Sequence, residues 1–366
     1  MENKIPTPLV LVAEVTHRCP LHCVYCSNPL ELTGRNGELS AEAWIDICQQ
    51  AAAMGVLQAD FTGGEPLARA DLARLIRGAR EAGLYASLIT SGVPLDEGRL
   101  AELVAAGLDH LQLSFQGARE ESAREFSGTR THAQKRRVAE WAKRHRLALT
   151  LNFVIHRQNL DELEEMLALT DQIGPQRVEF AHVQYYGWAF QNRARLLPTR
   201  EQVDRSVDTL TRAGERMRGR TRVEYVVPDY YAKYPKACMG GWGRKVMLVK
   251  PDGDVLPCHA ANVLPGMAFE NVRRRSLREI WENSDAFGRF RGGDWMQEPC
   301  RSCDRRTQDF GGCRCQALLL AQDAASTDPV CSLAPRRQLV DTILAEVNGV
   351  GRAGEASSWA YRPNPR

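Results

Sequence analysis

Three cysteines in the pattern Cys19-x3-Cys23-x2-Cys26 are the residues of this chain best suited to chemistry. Three thiolates can hold three irons of a four-iron cluster and leave the fourth iron open to a further ligand. The alternative is a structural zinc site, which takes four ligands; His17 or His22 can supply the fourth. The three-then-two spacing directly after a strand is unusual for zinc. Downstream, Thr62-Gly63-Gly64-Glu65-Pro66 follows a second apolar run. Its two glycines let a ligand approach the backbone closely, and the Glu65 carboxylate can accept from a cationic amine.

A second group of cysteines lies far along the chain. It reads Cys238-x14-Gly253-x4-Cys258, then Cys300-x2-Cys303-x5-Asp309-x3-Cys313-x-Cys315-x15-Cys331. One or two zinc sites from these thiols are the alternative to iron here too, and Cys258-His259 fits zinc. The eleventh cysteine, Cys48, sits at helical spacing from Ile45 and Ala51 and reads as a small buried hydrophobe.

These residues need elements to position them. Residues 9–15, 57–61, 84–89, 108–115, 147–155 and 177–183 read as strands. Helices are expected over 41–54, 71–82, 96–106, 131–145, 160–172 and 199–217, with Ser40 and Asp96 as caps and Gly55 and Gly83 as stops. Six βα units build a parallel sheet, and six fall short of the eight that close a barrel. The fold class is therefore α/β, a partial (β/α)6 TIM-like barrel, with the chemistry at the carboxyl ends of its strands. Cys19 to Cys26 follow strand one and the Gly63-Gly64 loop follows strand two, so both lie at that end. After Tyr234 the periodicity fails. Residues 246–249 and 254–256 flank Pro251-Asp252-Gly253 as a hairpin, and Ser276-x-x-Glu279 opens a helix as a capping box. So little apolar periodicity folds poorly without metal. The expected division is a barrel over 1–234, a cysteine-rich iron–sulfur domain over 235–335, and a closing helix with a disordered tail over 336–366.

The chain has 366 residues, 43% of them hydrophobic and 25% charged, with a formal net charge of +3. That charge is too small to argue for nucleic acid or an anionic membrane. Lys135-Arg136-Arg137 and Arg273-Arg274-Arg275 read as solvated faces. No apolar run reaches the ~20 residues of a membrane span, and residues 1–7 lack the apolar core of a secretory signal. The expected location is the cytoplasm, where thiols stay reduced and disulfides are not expected.

The Cys19/Cys23/Cys26 triplet and the Gly63-Gly64-Glu65-Pro66 loop resemble, in type, order and spacing, the motifs of the radical S-adenosylmethionine superfamily. The resemblance implies a [4Fe-4S] cluster whose open iron takes the amino and carboxylate groups of S-adenosylmethionine. Gly63, Gly64, Glu65 and Pro66 would bind this cofactor, Gly64 and Glu65 helping to hold its amino group. Thr90 and Ser114, at the ends of strands three and four, and Asn152 on strand five are further candidates for its ribose or carboxylate; each competes with an ordinary turn or cap. The later cysteines resemble the twin-cluster SPASM extension, with Asp309 standing where that pattern has cysteine. This implies two auxiliary Fe–S clusters, [4Fe-4S] or [2Fe-2S]. Cys238, Cys258, Cys313 and Cys315 are assigned to the nearer, and Cys300, Cys303, Asp309 and Cys331 to the farther. A carboxylate in place of a thiolate changes a cluster's charge and potential.

Within that superfamily, Gln184-Tyr185-Tyr186-Gly187-Trp188-Ala189, Asp309 and Phe310-Gly311-Gly312-Cys313-Arg314-Cys315-Gln316 resemble the peptide cyclases of pyrroloquinoline quinone biosynthesis. The resemblance implies a carbon–carbon bond between glutamate and tyrosine side chains of a precursor peptide, PqqA. Tyr185, Tyr186 and Trp188 can line the peptide site or simply pack the barrel mouth. No general base can be named. With a first strand near residue 9 and a short tail after Val347, no peptide-recognition domain is expected. A separate peptide chaperone, PqqD by the resemblance, is expected instead, with an external flavodoxin-like electron donor. The competing readings are a sulfatase-maturing or thioether-forming radical enzyme, and a zinc-stabilised binding protein.

Overall fold

The computed structural model describes residues 5–349 and 358–365. Seven parallel strands follow in chain order: β1 (Val10–Thr16), β2 (Gln58–Gly63), β3 (Tyr85–Thr90), β4 (His110–Phe115), β5 (Ala148–Ile155), β6 (Arg177–His182) and β7 (Arg222–Val226). Each of β1 to β6 is followed by at least one helix. The helices include Ala41–Ala53, Leu72–Glu81, Glu97–Ala105, His132–Arg144, Leu163–Ile173 and Arg200–Arg216, which are those the periodicity predicts. Ser40 accepts the Ala43 N–H and Asp96 accepts the Arg99 N–H, so the expected caps operate. Two features went unforeseen. Glu120–Ser127 is an additional helix, and β7 is a seventh strand whose charged Arg-Val-Glu-Tyr-Val run hides its strand character.

The sheet does not end at β1. Its order is β7-β6-β5-β4-β3-β2-β1-β8-β9, where β8 (Val246–Val249) and β9 (Val255–Leu256) form the predicted hairpin. β8 pairs in parallel with β1, Val10 opposite Val246 through Ala13 opposite Val249. Two edges remain, at β7 and β9, so the barrel is open. Alternate strand residues such as Leu11, Ala13, Phe61, Leu88, Leu113, Phe153 and Phe180, all fully buried, face outward and form one core with helix residues such as Trp44, Ile47, Leu75 and Leu100. Phe153 and Phe180 stack with ring centres 5.3 Å apart.

Lys135 departs from the solvated face expected of it. It is 1% exposed, and its ammonium donates to the Ser114 carbonyl at 2.7 Å and to the Gln116 side chain. Its neighbours Arg136 and Arg137 are exposed. The tail also departs from expectation where it is described. Residues 358–365 lie against the first cysteine loop, with Arg362 1% exposed; residues 350–357 lie outside the described residues. Among the described residues, no helix is long and apolar enough to cross a membrane.

Candidate active site and two further cysteine centres

A cavity of about 320 Å³ opens at the carboxyl ends of β2 to β6. Cys19, Cys23 and Cys26 line it, together with Gly63, Gly64, Thr90, Ser114, Asn152 and Tyr186. Of the seven residues expected to meet the cofactor, five line this cavity: Gly63, Gly64, Thr90, Ser114 and Asn152. The thiols are free and their residues half-buried. Burial is the main cause that pushes Cys19 up to about 12 and raises Cys23 and Cys26 above the ordinary thiol range. An empty loop of this kind prefers thiols, and metal must displace their protons.

The glycines, which line the cavity, also allow a second close approach. A Cβ on Gly63 would lie 2.2 Å from the Thr16 carbonyl oxygen, and one on Gly64 2.5 Å from both the His17 and Arg18 carbonyl oxygens. Gly64 N–H donates to Thr16 at 2.6 Å and Glu65 N–H to Arg18 at 2.8 Å. The two glycines therefore let this loop lie directly on the cysteine loop. Asn28 ties the same loops together, donating to the Gly63 carbonyl at 3.2 Å.

Glu65 is fully buried and is not on the cavity surface. Its carboxylate accepts from Thr90 Oγ1 at 2.6 Å, Ser91 N–H at 2.9 Å, the Ser91 hydroxyl, and Leu67 N–H at 3.1 Å. Both oxygens are engaged in joining the ends of β2 and β3. Pro66 opens a short 3-10 turn beneath it. Thr90 spends its hydroxyl on Glu65. Ser114 lies on the wall, and its carbonyl accepts from Lys135.

Neither histidine named for the zinc alternative lines the cavity. His17 Nδ1 accepts the Thr33 N–H at 2.9 Å, and its Nε2 faces Glu14 at 3.3 Å. His22 Nδ1 donates to the Arg362 carbonyl at 2.8 Å. The cavity wall instead carries buried polar atoms without a hydrogen-bond partner: Tyr25 Oη, Asn152 Oδ1, His182 Nδ1 and Arg362 Nε. Orphaned buried polar atoms are costly and are normally paired. Four of them around one cavity, above three free thiols, fit a thiolate-held cluster with a polar nucleoside ligand.

Tyr25, Gln116, His182 and Arg362 were not anticipated. Gln116 and His182 end strands, so the strand-end rule offered a signal for them. Arg362, some 340 residues from the loop it meets, offered none. Of the three aromatics proposed for a peptide, only Tyr186 reaches the cavity. Tyr185 packs on Tyr230 with ring centres 5.2 Å apart, and Trp188 is 4% exposed. Both are buried and off the lining of this cavity.

Tyr186 points onward as well. Its hydroxyl is hydrogen-bonded to His259 Nε2, beside Cys258. There four thiols close a ring, in which Cys238 and Cys315 each contact Cys258 and Cys313. Hydrogen bonds from Cys238 and Cys315 hold the Cys258 thiol well below its ordinary range. This is the donor set grouped by position as the nearer centre. Asp328 supports it, accepting from Cys313 N–H at 2.8 Å and Gln316 at 2.9 Å; burial raises its carboxyl to about 7. The outer set gathers too, since Cys300, Cys303, Asp309 and Cys331 line one small pocket. Asp309 accepts from Arg305 Nε at 3.3 Å and Gly311 N–H at 3.1 Å. Thiolate and carboxylate donors of this kind suit iron.

The sequence profile of the Radical SAM superfamily matches residues 13–170, and that of SPASM, an iron-sulfur cluster-binding domain, matches residues 238–304. A PqqA peptide cyclase of Methylobacterium nodulans is 54% identical, over 90% of this chain and 88% of that protein. One of Gluconobacter oxydans is 52% identical over 91% and 93%, and one of Bradyrhizobium diazoefficiens 49% over 97% and 93%. Among solved structures, Streptococcus suis SuiB bound to S-adenosylmethionine aligns with a TM-score of 0.74 at 20% identity, covering 89% of this chain and 77% of that one. The enzyme anSMEcpe with bound AdoMet and Kp18Cys peptide gives 0.65 at 17%, covering 94% and 100%. At such identities these two show a shared fold.

Proposed function

Because the chain belongs to the PqqA peptide cyclases, radical S-adenosylmethionine enzymes with a SPASM extension, we propose that it joins a glutamate side chain to a tyrosine ring of PqqA through a carbon–carbon bond. One observation carries the reading. The cavity has three free thiols and four unpaired buried polar atoms on its walls, and its Tyr186 leads to a second thiol centre.

Cys19, Cys23 and Cys26 hold the [4Fe-4S] cluster in this reading. With S-adenosylmethionine at its open iron, that cluster supplies an adenosyl radical able to take a hydrogen atom from the glutamate γ-carbon. The chain's own residues position and enclose. The Gly63-Gly64 backbone and the Glu65 clamp fix the cysteine loop against the ends of β2 and β3. Asn152, Tyr25 and His182 offer polar atoms to the nucleoside. Burial keeps water from a reactive carbon centre. Coupling removes two hydrogens from the peptide, one as an atom and one as a proton with its electron. Cys238, Cys258, Cys313 and Cys315, and then Cys300, Cys303, Asp309 and Cys331, would hold two auxiliary clusters along a route for that electron. We assign peptide delivery to a separate chaperone, PqqD, reduction to a flavodoxin-like donor, and the reaction to the cytoplasm, where the thiols remain reduced.

The test is anaerobic incubation with reductant, S-adenosylmethionine, PqqA and PqqD, followed by mass spectrometry. The expected products are 5′-deoxyadenosine and a peptide lighter by two hydrogens, with glutamate and tyrosine cross-linked. Cys19→Ala, Cys23→Ala and Cys26→Ala abolish both. Deoxyadenosine from any of these variants, or a modified cysteine in the product, refutes the reading.

A further inference from the structure

The last described residues run directly over the cofactor loop. Ala360 exchanges two hydrogen bonds with Asn192, at 3.0 and 2.8 Å. Trp359 packs edge-on against Phe126 and donates to Glu125 at 3.2 Å, and the Tyr361 hydroxyl donates to the Glu125 carbonyl at 2.9 Å. Two more bonds reach the cysteine loop itself. His22 donates to the Arg362 carbonyl at 2.8 Å, and Cys19 N–H donates to Asn364 Oδ1 at 3.3 Å.

This strap brings one charged side chain into the cavity. Arg362 is 1% exposed and is the only fixed cation among the described residues on that wall. Its proximity favours the thiolate forms of Cys19, Cys23 and Cys26. A guanidinium has five N–H donors. Nη1 gives two, to Pro363 O at 3.1 Å and Asn364 Oδ1 at 3.2 Å, and Nη2 gives one to His17 O. Nε has no partner although it is buried. Cys26 is a further hydrogen-bond partner of the guanidinium, so the Nε–H is the donor left without an acceptor, on a group held by its own strap. An unpaired buried donor calls for an acceptor, and a carboxylate is the acceptor a guanidinium edge fits best.

We propose that Arg362 is a binding residue for the carboxylate of the methionine moiety of S-adenosylmethionine, delivered to the cavity by residues 359–364. The inference rests on the proposed cofactor, and its test separates the two. Binding of S-adenosylmethionine and of its decarboxylated analogue is measured by anaerobic calorimetry on the iron-loaded chain, in the unaltered protein, Arg362→Gln and Arg362→Lys. Iron content and the low-temperature electron spin resonance of the reduced cluster report loading. Loss of a charge-assisted hydrogen bond predicts at least about tenfold weaker binding of S-adenosylmethionine to Arg362→Gln. The decarboxylated analogue should bind that variant and the unaltered protein within about twofold. Arg362→Lys keeps the charge beside the thiolates but lacks the paired donors, and should show the same selective loss to a smaller degree. Equal weakening for both ligands, or no weakening, overturns the assignment. So does failure of both variants to load iron, since Arg362 would then act on the cysteine loop. No binding of S-adenosylmethionine by the unaltered loaded protein sinks the cofactor reading instead.

Discussion

Gly64→Ala tests the claim that the two motif loops are built as one body. Gly64 is not a positive-φ residue, so alanine strains no backbone angle there. The added Cβ would stand 2.5 Å from two carbonyl oxygens of the cysteine loop, where ordinary contact begins at 3.4 Å. Both obstacles are backbone, so one loop must retreat by roughly 0.9 Å. That movement stretches the Gly64-to-Thr16 and Glu65-to-Arg18 hydrogen bonds, each contributing on the order of 1 kcal/mol. Overpacking adds about 1–3 kcal/mol. The expected destabilisation is therefore about 3–5 kcal/mol. With a urea dependence on the order of 3 kcal/mol per molar, the midpoint falls by about 1 M or more. Gly83→Ala is the control, because its φ is +87° and nothing lies within 4 Å of the added methyl; it should cost about 1–2 kcal/mol in backbone strain alone. Anaerobic urea titration followed by tryptophan fluorescence measures both, and iron analysis shows whether the first loop still loads. A Gly64→Ala protein with the midpoint and iron content of Gly83→Ala refutes the reasoning.

Three other outcomes can be checked. His156 and His182 are buried, and burial lowers each to about 3. Below pH 6.5 the unfolded chain binds two protons that the folded chain refuses, so stability falls by about 1.4 kcal/mol per pH unit for each histidine down to about pH 3; acid titration of the His156→Gln variant should show half that slope. Burial lowers the Lys135 ammonium to about 8. The folded chain then sheds its proton before the unfolded one does, so stability rises from pH 8 to 10.5 by about 1.4 kcal/mol per unit, a rise that Lys135→Met should abolish in urea titrations at stepped pH. Asp309→Ala removes one of four donors around the outer pocket. About a third of the bound iron should be lost, with the spectra of the other two centres unchanged.

The chemistry was more legible than its supports. Cysteine spacing named every thiol that now lines a cavity, ring or pocket, because ligands to one centre must recur at short, fixed separations. The strand-end rule then placed Ser114 and Asn152 on one wall. Lys135 misled because a basic triplet on a helix looks solvated, and only the fold shows that one member turns inward to Ser114 and Gln116. Glu65 was expected at a ligand and its carboxylate meets neighbouring loops, while the two glycines line the cavity and also touch the cysteine loop. A motif's spacing does not say which partner its polar groups meet. Arg362 lay in a Gly, Ser and Pro-rich stretch, where composition predicts disorder. Its anchors Asn192, His22 and His17 are distant in sequence and carry no local trace. Tyr185 and Trp188 were indistinguishable from Tyr186 by type, and packing alone separates them.

β1 has hydrogen-bonded neighbours on both sides, β2 from the barrel and β8 from the cysteine-rich segment. The strand that ends in the first cysteine loop is thus an interior strand shared by two halves that sequence profiles treat as separate modules. Cutting the chain ahead of Val246 would turn β1 into a raw edge and bare Leu11 and Ala13 on the flank β8 now covers. In this molecule the far modules and the near one share a backbone ladder, so a slip of one residue along β8 would shift both at once.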